Sequence, residues 1–168
     1  MSVYFDFDDV DAFTTGALGV PGQRTFFIQV RRMGERVTIK CEKQHTAALA
    51  DFLRQLISDQ PPPSDRPLTV AMELADVSEA AFELGGISLG FDKDLGRVIV
   101  QFEEIAPVDD NGEELPDFNG GKVRVAITVG QASAFVEVAE AAVAAGRPNC
   151  LFCGRPIDPH GHMCPRMN

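Results

Sequence analysis

Positive charge is scarce in this chain: 15 Lys and Arg stand against 25 Asp and Glu, for a formal net charge of -10. That balance argues against broad binding to nucleic acid or to an anionic membrane, since both need a cationic surface. Long apolar runs are missing as well, and no stretch approaches the ~20 residues of a membrane-spanning helix. The opening residues, Met1-Ser-Val-Tyr-Phe-Asp-Phe-Asp-Asp, lack the basic start and apolar run of a secretory signal. A cytoplasmic protein is therefore expected. Catalytic signatures are equally absent: there is no Gly-x-Ser-x-Gly, no His-x-x-x-His paired with a Glu, and no Walker motif. Cysteine is sparse except in one place, and three of the four fall between positions 150 and 164.

What is present begins with that place. Cys150-Leu-Phe-Cys153 is followed about ten residues later by His160-Gly-His162-Met-Cys164. A Cys-x-x-Cys turn points both thiolates at one metal, and a His-x-Cys pair on extended chain puts both side chains on one face. In a reducing compartment such a cluster reads as metal ligands rather than disulfides. We expect a zinc ion held by Cys150, Cys153 and Cys164, with His162 or His160 as the fourth ligand. His162 shares a face with Cys164 if the segment is extended, whereas His160 needs a tighter turn. Four protein ligands close the tetrahedron and leave no position for water, which makes the site structural rather than catalytic. So short a segment buries little apolar surface, so the metal would supply its folding energy.

At 168 residues, 45% apolar and 24% charged, the chain is long enough for one core. Periodicity divides it in two. Residues 3–7 suit a short strand. Val20-Pro21-Gly22-Gln23 suits a type II turn, with Gly22 taking the positive φ. It leads into a strand at 24–31, a turn at Arg32-Met-Gly34-Glu, and an alternating strand at 36–42 with Val37, Ile39 and Cys41 inward. Residues 43–59 switch to helical period, striped by Leu49, Phe52, Leu53, Leu56 and Ile57 and stopped by Pro61-Pro62-Pro63. Residues 61–79 read as a crossing linker with at most a short strand at 68–72. The pattern then restarts: Phe82-Glu-Leu-Gly85 echoes Phe13-Thr-Thr-Gly16, and 97–102 echoes 24–30. Val123, Val125, Ile127 and Val129 alternate, and a helix follows, striped by Phe135, Val138, Ala139, Ala142 and Val143. Thr128-Val-Gly-Gln131 suits a capping box at its start.

Two βββα units predict an α+β fold, an antiparallel sheet from two pseudo-repeats with both helices on one face and a zinc knuckle at the C-terminus. The expected units are 1–146, with halves 1–60 and 80–146 joined by 61–79, and the knuckle at 147–168. The second half carries an acidic insertion, Pro107-Val-Asp109-Asp110-Asn-Gly-Glu113-Glu114-Leu-Pro-Asp117. Asn111-Gly112 marks a hairpin tip, and an EF-hand phase ending at Gly112 would put Pro107 where the first Asp must stand.

Other polar residues have bland readings. Cys41 sits at an inward strand position, as a core thiol would. His45 has no nucleophile nearby and reads as a surface residue. Arg24, Arg31, Arg32, Arg36, Lys40 and Lys43 crowd one hairpin. They suit either edge protection or a docking surface for an acidic or phosphate-bearing partner. The glycines between Gly16 and Arg24 would suit an anion, though they match no phosphate-binding fingerprint.

Two motifs carry a resemblance. Pro21-Gly-Gln-Arg24-Thr-Phe-Phe27, with Gly146-Arg-Pro-x-Cys150 and Pro156-Ile-Asp-Pro-x-Gly161-His162-x-Cys164-Pro165-Arg166, resembles the bacterial family called domain of unknown function 3090. The resemblance spans nearly the whole chain, apart from 68–80. It implies a single-domain protein with a C-terminal cysteine cluster, and it favours His162 over His160 as the ligand. It implies no activity. The expected function is a zinc-binding, non-enzymatic protein-interaction or adaptor module. The alternative is an enzyme or ligand-binding protein that takes a phosphorylated or anionic substrate near Arg24.

Overall fold

The computed structural model describes residues 3–146, 149–155, 157 and 161–166. Among these described residues, seven strands and two α-helices appear in the order β1 (Tyr4–Phe7), β2 (Ala12–Leu18), β3 (Thr25–Arg32), β4 (Glu35–Cys41), α1 (Lys43–Ile57), β5 (Phe82–Asp92), β6 (Arg97–Glu104), β7 (Lys122–Ile127) and α2 (Val129–Ala144). They form an α+β fold with one seven-stranded mixed sheet, ordered β1-β7-β6-β5-β4-β3-β2.

The expected all-antiparallel sheet is corrected in two places. β1 runs parallel to β7, and β4 runs parallel to β5 through only two residue pairs, Ile39↔Phe82 and Lys40↔Glu83. A parallel pair cannot be closed by a tight turn and needs a crossover. Here α1 and residues 58–81 supply it. The segment passes α2, where the Asp65 carbonyl abuts Gly130 and Arg66 pairs with Glu137 at 2.5 Å. It then crosses the face of the sheet that carries Thr14 and Gln29. The Thr14 hydroxyl donates to the Met72 carbonyl at 2.6 Å, and the Ala75 N–H donates to Gln29 Oε1 at 2.9 Å. Finally the Ala81 N–H reaches the Thr38 carbonyl at 2.7 Å, and β5 begins. The 68–72 stretch, read as at most a short strand, is a 3₁₀ turn over Thr69–Met72.

The sheet is folded around its core. The Phe13 ring on β2 lies 6.2 Å from the Phe102 ring on β6, although three strands separate them in the sheet order. In a flat sheet, at ~4.8 Å per strand, those positions would stand ~19 Å apart. The two-pair seam between β4 and β5 is the fold line, and α2 fills the angle. Its buried residues, including Ala132, Phe135, Val136 and Ala139, run around most of the helix, as befits a helix enclosed on several sides. α1 packs beside it and buries one stripe, Thr46, Leu49, Ala50 and Leu53. Phe52, expected in that stripe, is exposed.

The chain order does run strand–strand–strand–helix twice, but the two halves are not equivalent units. α2 is enclosed and α1 is one-sided. Phe13 stacks on Phe135 with ring centroids 4.7 Å apart, whereas Phe82 lies at the seam against Gly121. Gly16 makes room for Leu74 of the crossing segment, whereas Gly85 makes room for the Ile105 backbone beside a β-bulge.

Candidate metal centre

Cys150 opens a tight loop. Its carbonyl accepts the Gly154 N–H at 2.9 Å, its own N–H donates to the Arg155 carbonyl at 2.8 Å, and Gly154 takes φ +75° to close the turn. The loop turns Cys150 and Cys153 to the same side. Gly161, at φ +112°, brings the chain back so that His162 and Cys164 face them. The four donor atoms, three Sγ and one imidazole nitrogen, all lie within 4.8 Å of one another. Cys150 and Cys164 are buried with sulfurs 3.8 Å apart, and Cys153 Sγ lies 3.2 Å from His162 Nε2. A tetrahedral ion with metal–sulfur bonds of about 2.3 Å would hold its sulfurs ~3.8 Å apart. The residues present fit a four-coordinate metal.

The local electrostatics suit thiolate ligands. The backbone N–H groups of Cys153 and Phe152 point at the Cys150 sulfur and draw its pKa down to about 6. Burial has the opposite effect on Cys164 and raises its thiol. His160, the other candidate ligand, lies outside the described residues. The sequence reading overlooked the residues between the ligands: Leu151, Phe152 and Met163 are all exposed. Two apolar residues inside Cys-x-x-Cys, and one inside His-x-Cys, were the available signal.

The basic hairpin is not a free patch. Arg31 Nη2 donates to the carbonyls of Ala71 at 2.6 Å and Glu73 at 3.0 Å, which ties the crossing segment down. Arg32 pairs with Asp9 at 2.8 Å, Arg36 with Asp76 at 3.7 Å and Lys40 with Glu83 at 3.0 Å. Arg24 lies over the Phe26 ring at 4.8 Å and donates to the Ala142 carbonyl at 2.7 Å, where it serves the C-terminal end of α2. A cavity of about 290 Å³ beside it is lined by Gly22, Arg24, Lys43 and Glu42. The Pro21–Gly22 turn forms as expected, with Gly22 at φ +93° and the Gln23 N–H donating to the Val20 carbonyl at 2.9 Å.

A second cavity, of about 690 Å³, opens where β4 and β5 part and carries Glu42, His45, Glu83, Glu104 and Glu114 on its walls. His45 Nδ1 accepts the Glu42 N–H at 3.0 Å, a structural role at the start of α1. Cys41 also borders this cavity, but burial pushes its thiol up to about 11, so it is neutral rather than nucleophilic.

The family model described as protein of unknown function, DUF3090, matches residues 5–164. The chain belongs to that family. The match takes in nearly all of the sheet, both helices and the four residues of the candidate metal cluster of this DUF3090 member. No curated protein and no solved structure matches the chain.

Proposed function

We propose that this DUF3090 protein binds one zinc ion through Cys150, Cys153, His162 and Cys164, and that it works as a non-enzymatic protein-interaction module. The observation that carries the reading is the convergence of four soft and borderline donors within 4.8 Å. Three thiolates and an imidazole select zinc over magnesium or calcium, which take oxygen ligands. The set is complete without water, so the metal's role is to hold the 147–168 segment as a small unit beside the 1–146 body. All four cysteines are free thiols, which suits a reducing, cytoplasmic setting. The three exposed apolar residues between the ligands give the metal-held loop a surface for a protein partner. An anionic ligand near Arg24 has weaker support, because that guanidinium is engaged with Ala142 and Phe26.

Elemental analysis of protein prepared under reducing, chelator-free conditions tests the metal. One zinc per chain is expected, His162→Ala should lose much of it, and His160→Ala should keep it. A stoichiometry near zero in the wild type would sink the reading.

A further inference from the structure

Charge is spread unevenly along this acidic chain. Residues 147–168 hold three arginines and one aspartate, a net of +2, which leaves -12 on the rest. Around the metal-ligand cluster, Leu151 is 98% exposed, Met163 96% and Phe152 58%. A metal held by the four inward-facing donors would leave the residues between them outside the coordination shell, where they are exposed. Arg155 and Arg166 are exposed in the same segment and form no ion pair among the described residues. The knuckle thus exposes apolar and cationic side chains within one short segment.

The acidic insertion has the complementary character. Its end is a hairpin, with the Gly112 N–H on the Asp109 carbonyl at 2.9 Å and an antiparallel bridge between Val108 and Glu114. Ile105, Val108, Leu115 and Phe118 are exposed along it. The carboxylates of Asp110, Glu113 and Glu114 have no cationic partner among the described residues. The arm therefore offers apolar side chains with an anionic rim.

Both surfaces flank one end of the molecule. The larger cavity joins Glu114 and Phe118 of the arm to Glu42 and His45 at the start of α1. The smaller one joins the same Glu42 to Asn149, next to Cys150 at the root of the knuckle. A patch and its complement on a single end meet the requirement of a two-fold interface, in which residue i touches j and j touches i.

We propose that this end of the molecule docks a second copy of the chain, each knuckle tip seating against the other copy's acidic arm. The occupant is chosen by charge: a copy with net charge -10 repels its like except where the cationic knuckle meets the anionic arm. The proposal rests on the interaction reading above and names the partner.

Sedimentation of the metal-loaded full chain across a concentration series tests it. A concentration-dependent dimer is expected, weakening with added salt as the charges are screened. Arg155→Glu/Arg166→Glu should weaken it by roughly tenfold or more, and so should Asp110→Lys/Glu113→Lys/Glu114→Lys. An equimolar mixture of the two variants should recover the dimer, because opposite charges then meet at both contacts. Leu151→Ser/Met163→Ser should weaken the dimer with no such recovery. Elemental analysis of every sample separates the two readings. A wild type that holds its metal but stays monomeric to its solubility limit overturns self-docking alone, as does a mixture that fails to recover. A metal-free wild type that still dimerises overturns the metal reading alone.

Discussion

Cys41 shows how a single position can be read twice. In the sequence it is an inward residue of an alternating strand, and the structure buries it beside Thr46, whose hydroxyl lies 3.6 Å from the sulfur. Desolvation raises the thiol from 9.0 to about 11. The neutral form is the one the fold favours, so the stability this adds is complete below pH 9 and is lost as pH rises toward 11. By the linkage relation the full effect is of order 3 kcal/mol. Unfolding free energy of the wild type should therefore fall more steeply between pH 9 and 11 than that of Cys41→Ala, and parallel pH profiles would refute this. The cluster of Cys150, Cys153, His162 and Cys164 was legible at the same scale, because the spacing that brings such donors together is a local property. The partners of the basic residues were not. Arg31 anchors carbonyls forty and more positions away, and Arg24 caps a helix 118 residues on, pairings that no local pattern encodes.

At the scale of elements, alternation and capping told most of the story. The Thr128 and Gln131 box forms as expected, with reciprocal hydrogen bonds of 3.0 Å at the start of α2. The hairpin at Asn111-Gly112 also forms, with Gly112 at φ +82°. The linker at 61–79 was legible as a crossing, but its course was not, because parallel pairing leaves no signature on the strands that pair. What marks it is a glycine. Gly130 stands in the first turn of α2, where alanine would ordinarily help an exposed helix by about 1 kcal/mol. Here an added Cβ would come within 2.1 Å of the Asp65 carbonyl oxygen, a backbone atom that cannot swing aside. Overpacking of that kind costs roughly 1–3 kcal/mol and outweighs the propensity gain. Gly130→Ala should therefore lower the urea midpoint. A raised midpoint would mean that residues 58–81 are not held against α2.

The arrangement of the whole molecule was the least legible, and the reason lies in its core. Two βββα stretches suggest one open antiparallel sheet with both helices laid on one face. The chain instead closes both around one cluster, in which Phe13 and Ile28 from the first half join Phe102, Val125 and Phe135 from the second. Arginines hold the β1 end of the sheet in place, with Arg124 on Asp6 at 2.8 Å and Arg32 on Asp9 at 2.8 Å, on either side of the link into β2. Such exposed pairs are individually weak, worth ~0–1 kcal/mol each, so the aromatic cluster must carry the closure. Phe13 touches both Phe102 and Phe135 and is 1% exposed. Truncating a buried Phe to Ala costs about 3–5 kcal/mol, a large share of the 5–15 kcal/mol that holds a typical domain together. Phe13→Ala should therefore destabilise both halves at once. Hydrogen exchange in β2 and β3 and in β6 and β7 should lose protection by the same amount, in one cooperative transition. If β5, β6 and β7 kept their protection while β2, β3 and β4 lost theirs, the halves would be separate cores after all, and the folded-sheet account would fall.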